Sequence, residues 1–511
     1  MSENITSNKR IAKNTAMLYV RMLLTMAVSL YTSRIVLKAL GVVDMGIYNI
    51  VGSIVLFLGF INNSMSIAVQ RFLTYDIGKK DDEALSRTFN SSILIHAFIA
   101  LIVAVVAEVF GVFMLDNILN IPAERHDAAI FVFHISIITC CIGILRVPFN
   151  GMIIAQERMS IFAYLSILEA FMSLIIAFVI SKASIDRLKL YSLLIMLSAL
   201  IISISYIICC VRQFRDIKIN LRYDSTTCKS LLGFASWSAF GELAWGFTNQ
   251  GVNFVLNIFF GPIVNTARGI SYQVQSIVMR FVSSFQTAVN PQITKRYAAG
   301  EKESLYELVF RTTCLSYYLV LVLSLPLMLN MDFILSLWLE EYPSTTEIFC
   351  ILILVNCLID IIPNLLASVA KAYGRIRNYQ LAVSIVLALN LPLSYVVLKM
   401  GFPAYSTYIV YAFISSLLLF TRLILLKKMM QFPISRFVKE VVISLLLITI
   451  LVLPIPVATK CFIDVNIYVD FLVISIVTVL TIAIVIYKIG LKENERLLLN
   501  DIVKRKILHR K

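Results

Sequence analysis

Long apolar runs, broken by short charged loops, recur along the whole chain. A helix needs roughly 20 apolar residues to cross a bilayer. On that measure the pattern predicts about fourteen spans: 14–38, 45–73, 88–115, 127–147, 160–182, 189–211, 230–259, 264–290, 307–331, 347–370, 379–399, 404–427, 438–459 and 466–488. Several run longer than the minimum, which predicts tilt or extension beyond the membrane. The fold class expected is all-α, a polytopic integral membrane protein. No loop is long enough to fold as a domain, and the longest, 211–229, is a basic linker.

The same pattern repeats at a shift of about 220 residues. ALGVVDMGIYNIV (39–51) falls on FFGPIVNTARGIS (259–271), and QRFLTYDIGKKDDEAL (70–85) on PQITKRYAAGEKESLYEL (291–308). PFNGMIIAQERMSIFAYLSI (148–167) matches PNLLASVAKAYGRIRNYQLAVSI (363–385). Each half reads helix, glycine-bearing outer turn, helix, then a charged inner loop. Six spans separate the copies, so both copies share one orientation. Parallel repeats of this kind are a transporter architecture. The expected organisation is two pseudo-symmetric six-helix lobes, 1–210 and 230–428, joined by the linker 211–229. Two additional helices (429–488) and a basic tail (489–511) follow.

Composition agrees with the pattern. The chain has 511 residues, 59% of them hydrophobic and 15% charged, against roughly 25% charged in soluble domains. The net charge of +15 does not point to nucleic acid, because the basic residues gather in short loops, as cytoplasmic loops do. Placing the N-terminus in the cytoplasm puts Lys9, Arg10, Lys13, Lys79, Lys80, Arg212, Arg215, Lys295, Arg377 and the tail on one side. Asp332, Glu340, Glu341 and Glu347 then fall on the other. Both termini are expected in the cytoplasm, and the first helix is expected to be retained. The nine cysteines form no CxxC pair and the four histidines no cluster, so no metal or redox cofactor is expected.

Ionisable groups inside the bilayer cost at least a few kcal/mol and mark function or a buried pair. Glu242 lies mid-span in GELAWGFTNQGVNF. At 100° per residue, Glu242, Gly246, Asn249, Asn253 and Asn257 share one helix face, which predicts a polar stripe on a cavity. Arg21 shares a face with Thr25, Ser29 and Thr32; Arg280 shares one with Gln273, Ser276, Ser284 and Thr287. Glu242 pairing with either arginine as a packing bond is the bland reading. Arg34, near the outer end, is expected to snorkel, and Arg71 to sit at the inner interface. Glu169 and Asp360 lie on helices without a polar stripe and read as structural; Glu108 reads as solvated near the outer boundary.

TSRIVLKALGVVDMGIYNIVGSI (32–54), SIAVQRFLTYDIGKKDDEALSRTFNSS (66–92) and PFNGMIIAQERMSIFAYLS (148–166) resemble the polysaccharide-transporter branch, the O-antigen-type flippases, of the multidrug/oligosaccharidyl-lipid/polysaccharide exporter (MATE-like) superfamily. With the spans, the resemblance covers nearly the whole chain. It implies two six-helix lobes around a cavity, plus two extra helices, in a bacterial inner membrane. The implied activity is flipping an undecaprenyl-pyrophosphate-linked oligosaccharide from the inner to the outer leaflet for O-antigen, capsule or exopolysaccharide. In related lipid-carrier flippases, arginines on the first and eighth helices engage the pyrophosphate; Arg21 and Arg280 lie on the matching helices. Those relatives have a third arginine on the second helix, where this chain has Asn62, Asn63 and Ser64, with Arg71 farther inward.

The expectation is therefore transport by alternating access, with no covalent chemistry. A pyrophosphate–sugar headgroup is too polar to cross hydrocarbon unaided, and two arginines would neutralise it. The prenyl tail would stay in membrane lipid. Glu242, Asn249, Asn253, Asn257, Thr25 and Gln273 are candidate cavity or coupling residues, and H+ or Na+ the candidate coupling ion, since no nucleotide motif is present. Partners expected are the polyprenyl-linked glycan, membrane lipid, and a polysaccharide polymerase with chain-length machinery. The rivals are a cation-coupled drug antiporter of the same superfamily, a membrane polysaccharide polymerase, and a structural scaffold.

Overall fold

A computed structural model of the protein describes residues 2–497, apart from 59, 80, 157, 215–219, 221–223, 374–376, 464, 492 and 494. Side chains at 2–21, 56–63, 237–242 and a few further helical positions also lie outside the description. Arg21, Glu242, Asn62 and Asn63 are among these, and the undescribed residues also include 215–219 and 221–223 of the linker and most of the basic tail.

The described residues are helices joined by short turns and loops, with no strand among them. Eleven helical segments among them are long and apolar enough to cross a membrane: Met22–Val55, Asp82–Asn117, Ala123–Ala155, Ser160–Lys182, Arg187–Gln213, Lys302–Leu329, Thr346–Tyr373, Arg377–Lys399, Ser406–Met430, Ile434–Phe462 and Ile467–Gly490. The chain is thus a multi-pass membrane protein, counted at eleven such segments against about fourteen predicted. The predicted spans 45–73, 230–259 and 264–290 are helical too, within Ser2–Leu58 and Phe60–Lys79, Ser225–Phe260, and Pro262–Ala298. The predicted 127–147 was too short: His126–Ala155 continues through Pro148.

The helix Ser2–Leu58 turns a corner at Gly41, with φ 80° and ψ 169°. Gly261, 220 residues later, repeats it with φ 75° and ψ −172°. Only glycine enters that region without strain. The register read from sequence lays residue 41 on residue 261, so the repeat extends to backbone dihedrals.

The chain divides into two compact units. The first holds Met1–Gly269, Trp338–Pro343 and Ala388–Ala404. In its core, Ile47, Ile50 and Val51 pack with Leu115, Val132 and Phe133. A second cluster joins Met65, Val69 and Leu73 to Phe89, Met152 and Leu231. The two corners lie against each other in this unit. The Thr266 hydroxyl donates to the Val42 carbonyl at 2.7 Å, and a Cβ on Gly46 would lie 2.0 Å from the Pro262 carbonyl oxygen.

The second unit holds Ile270–Leu337, Ser344–Leu387 and Tyr405–Lys511. Phe310, Phe432 and Phe437 meet edge-to-face and tilted, with centroids 5.3–5.9 Å apart. They fix the start of the penultimate span against Lys302–Leu329.

Candidate functional site

The first unit builds its polar interior around an irregular helix. Ser225–Gly246 continues into one π turn, Phe247–Gly251, then returns to α geometry at Val252–Phe260. A π turn inserts one residue into the helical repeat and frees backbone carbonyls. Two of these find side-chain donors. Arg268 Nη2 reaches the Asn249 carbonyl at 3.1 Å, and Asn390 Nδ2 the Thr248 carbonyl at 3.3 Å.

That insertion corrects the predicted stripe. The uniform 100° count holds only without an extra residue, so positions beyond Gly251 rotate away from Glu242 and Gly246. Asn253 and Asn257 do not line an open face: they are 7% and 0% exposed. Asn253 Nδ2 donates to Ser53 Oγ at 2.6 Å, and Asn253 Oδ1 accepts from Asn265 Nδ2 at 2.7 Å. Asn257 Nδ2 donates to Asn265 Oδ1 at 2.9 Å, while its own oxygen accepts from the Asn120 amide at 2.8 Å. These bonded amides pack the second corner. Asn249, inside the π turn, is only half-buried. Glu242 lies one turn before the π turn, its side chain outside the described residues.

Arg268 was missed from sequence although it lies inside the predicted span 264–290. It is 5% exposed and places a guanidinium in this region. A basic residue within a predicted span was the available signal. The same signal applies to Arg146, Arg311 and Arg422.

The remaining candidates are placed as follows. Thr25 is half-buried and its hydroxyl donates to the Met22 carbonyl at 3.1 Å. Arg34 is fixed rather than snorkelling freely: with Lys38 it pairs with Glu340, at 3.3 and 2.5 Å. The two donors, Lys38 first and Arg34 second, hold the Glu340 carboxyl below its ordinary range. Arg71 is exposed. Glu169 lies 3.5 Å from Arg146, whose guanidinium covers the Tyr206 ring. Glu108 is not merely solvated, since it contacts His134 at 3.0 Å. In the second unit, Gln273 is half-buried and Arg280 exposed. Asp360 accepts from Tyr411 Oη at 2.8 Å and Ser415 Oγ at 2.6 Å. Arg422 caps the Pro363 carbonyl on the same helix at 2.5 Å.

The first unit also holds an apolar cavity of about 760 Å³. Ile54, Phe110, Phe254, Leu391 and Tyr395 line it. Its walls suit hydrocarbon and give no polar ligand a partner. Among the described residues no His, Cys, Asp or Glu group is arranged to hold a metal.

Repeated apolar helices, glycine corners one repeat apart and polar groups fixed at membrane depth define a polytopic helical transporter fold. The MatE family matches residues 18–179 and 242–396, one segment in each repeat, and the chain belongs to that family. Among solved structures, the lipid II flippase MurJ in an inward closed conformation is similar with a TM-score of 0.66 at 13% identity, over 97% of this chain and 100% of that one. An inward-facing multidrug resistance MATE transporter of the MOP superfamily has a TM-score of 0.65 at 12% identity, over 80% and 96%. A MOP superfamily transporter from Pyrococcus furiosus, described as having a binding pocket of reversed polarity, has a TM-score of 0.61 at 13% identity, over 83% and 96%. Comparison with curated protein sequences finds no match. These identities speak for the fold alone; family and neighbours are transporters rather than enzymes.

Proposed function

We propose that this MatE-family transporter is a flippase for an undecaprenyl-pyrophosphate-linked oligosaccharide, moving it from the inner to the outer leaflet of a bacterial inner membrane. The observation that carries the reading is the extent of the likeness to a lipid flippase: it takes in 97% of this chain, while the multidrug transporter takes in 80%. The apolar cavity beside the π turn and the buried Arg268 support a cargo with both hydrocarbon and anionic parts.

In this reading the repeat halves 1–210 and 230–428 are the moving bodies, and residues 429–488 are two additional spans. Arg21 and Arg280 contact pyrophosphate by charge-assisted bonds. Asn249, Thr25 and Gln273 contact sugar hydroxyls. Glu242 takes up H+ or Na+, and its occupancy biases the lobe equilibrium. The cargo connects the protein to a polymerase and its chain-length machinery.

Deleting the gene in its host tests this reading. Surface glycan should fall while its lipid-linked precursor accumulates in the inner leaflet, and the intact gene should reverse both. Unchanged surface glycan, or altered efflux of cationic drugs with normal glycan, would favour the antiporter reading given by the MATE neighbours. Arg21→Ala and Arg280→Ala should each fail to complement at matched expression. Glu242→Gln should remove ion-gradient dependence in proteoliposomes, and dependence retained in full would exclude that role.

A further inference from the structure

The last two spans carry a feature that the transport reading leaves unused. Three helices of the second unit end together at the membrane boundary that charge asymmetry assigns to the cytoplasm: the start of Lys302–Leu329, the start of Ile434–Phe462, and the end of Ile467–Gly490. They enclose a cleft of about 480 Å³. Two of its three walls are π turns, Val438–Ile443 and Ile486–Gly490. Such turns are frequent at binding sites because they break the regular pairing of the backbone.

The side chains of this cleft combine both charges with an apolar wall. Arg436 is fixed by Glu440 at 2.6 Å and Glu303 at 2.7 Å, and lies 3.9 Å from Glu307. Arg311 donates to the Gly490 carbonyl at 3.0 Å, and Tyr318 Oη to the same oxygen at 3.4 Å. Lys439 is exposed at the rim and forms no ion pair among the described residues. Phe310, Ile489 and Leu491 supply the apolar wall.

We propose that this cleft binds an inner-leaflet phospholipid whose headgroup joins a phosphate to a primary amine, as in phosphatidylethanolamine. Depth selects a lipid headgroup, since the cleft sits where spans meet the headgroup layer. Cationic side chains between transmembrane helices on this side hold lipid phosphates, and Lys439, which has no ion pair among the described residues, supplies that charge. Glu307 and Glu440 select the other half. A purely anionic headgroup would face two carboxylates. A quaternary ammonium brings charge but no N–H donor, whereas a primary ammonium donates up to three hydrogen bonds. The apolar wall receives the first carbons of the acyl chains. A lipid seated here bridges the two spans outside the repeat to Lys302–Leu329.

The test uses the full-length protein, delipidated in detergent and titrated by native mass spectrometry. The probes are phosphatidylethanolamine, phosphatidylglycerol and phosphatidylcholine with identical chains. Phosphatidylethanolamine should bind about tenfold tighter than phosphatidylcholine, as expected for hydrogen bonds to charged partners. Lys439→Ala, an exposed change that leaves folding intact, should weaken it about fivefold. Glu307→Gln should shrink the preference over phosphatidylglycerol. Soluble glycerophosphoethanolamine should compete, and inorganic phosphate should compete less well. Equal binding of the three lipids, strongest binding of phosphatidylglycerol, affinities unmoved by both variants, or competition by phosphate alone as strong as by glycerophosphoethanolamine would each overturn the proposal.

Discussion

The corners at Gly41 and Gly261 share a backbone conformation and differ in how they are fastened. Around the first, Arg125 forks onto two carboxylates, Asp44 at 2.8 and 2.6 Å and Asp186 at 3.0 and 3.1 Å. Arg187 caps the Ala39 carbonyl at 3.0 Å. Around the second, the described fastening is neutral: Asn253, Asn257 and Asn265 bond to one another, to Ser53 and to the Asn120 amide. Burial explains the difference. The clamp side chains are 28%, 17% and 30% exposed, so the charges keep part of their surface open. Asn265 and Asn257 are 0% exposed, where desolvating an ion pair costs several kcal/mol per charge. One repeated backbone thus carries charges at its more exposed corner and amides at its buried one.

The largest effect should come from the point where the corners touch. Gly46→Ala drives a Cβ against the Pro262 backbone carbonyl, which no rotamer change relieves. Overpacking against backbone should cost about 3 kcal/mol and sharply reduce folded yield in detergent. Gly52→Ala, where a Cβ meets nothing within 4 Å, should be neutral or slightly stabilising. Equal behaviour of the two variants would mean that the corners do not meet as described.

Second is the amide cluster. Asn265→Ala leaves the Asn257 amide and the Asn253 oxygen without their partner. Each buried group so left costs about 1–3 kcal/mol, so thermal melting should fall by an amount that salt does not alter. Arg125→Gln should cost less, about 1 kcal/mol for a partly exposed clamp, and its effect should shrink in 1 M salt, where screening acts over about 3 Å. A salt-sensitive Asn265 variant beside a salt-insensitive Arg125 variant would reverse the comparison.

Much of this pairing was legible in sequence, and for a physical reason. A corner that only glycine can enter leaves an invariant mark in both copies, so the 220-residue shift laid Gly41 on Gly261. The polar interior was less legible. A π turn leaves no signature in hydrophobic periodicity, so Asn253 and Asn257 were phased to the wrong face. The span read as 127–147 in fact passes through Pro148 to Ala155, so Arg146 stood at its apparent edge, away from Glu169. Asp360 was readable as an intramembrane acid, but its hydroxyl partners Tyr411 and Ser415 lie on another helix, beyond the reach of local pattern.

The smallest predicted effect isolates the clamp by pH. Burial alone would raise the Asp186 carboxyl, but the Arg125 guanidinium and the Lys189 and Leu188 backbone N–H groups outweigh it and hold it below its ordinary value of 3.8. A carboxyl depressed in the folded state contributes stability above its unfolded pKa and loses it as pH falls through the folded value. The contribution of Asp186 to the first corner should therefore weaken below about pH 4, with the loss completed at lower pH. Asp186→Asn should lower the melting temperature slightly at pH 7 and flatten its decline between pH 5 and acid. None of the described partners of the asparagine corner is a carboxylate, so Asn265→Ala should keep the full acid-dependent decline of the parent. An Asp186→Asn variant that declines as steeply as the parent would show that the acid sensitivity resides elsewhere. The contrast between a charged and a neutral corner would then rest on salt alone.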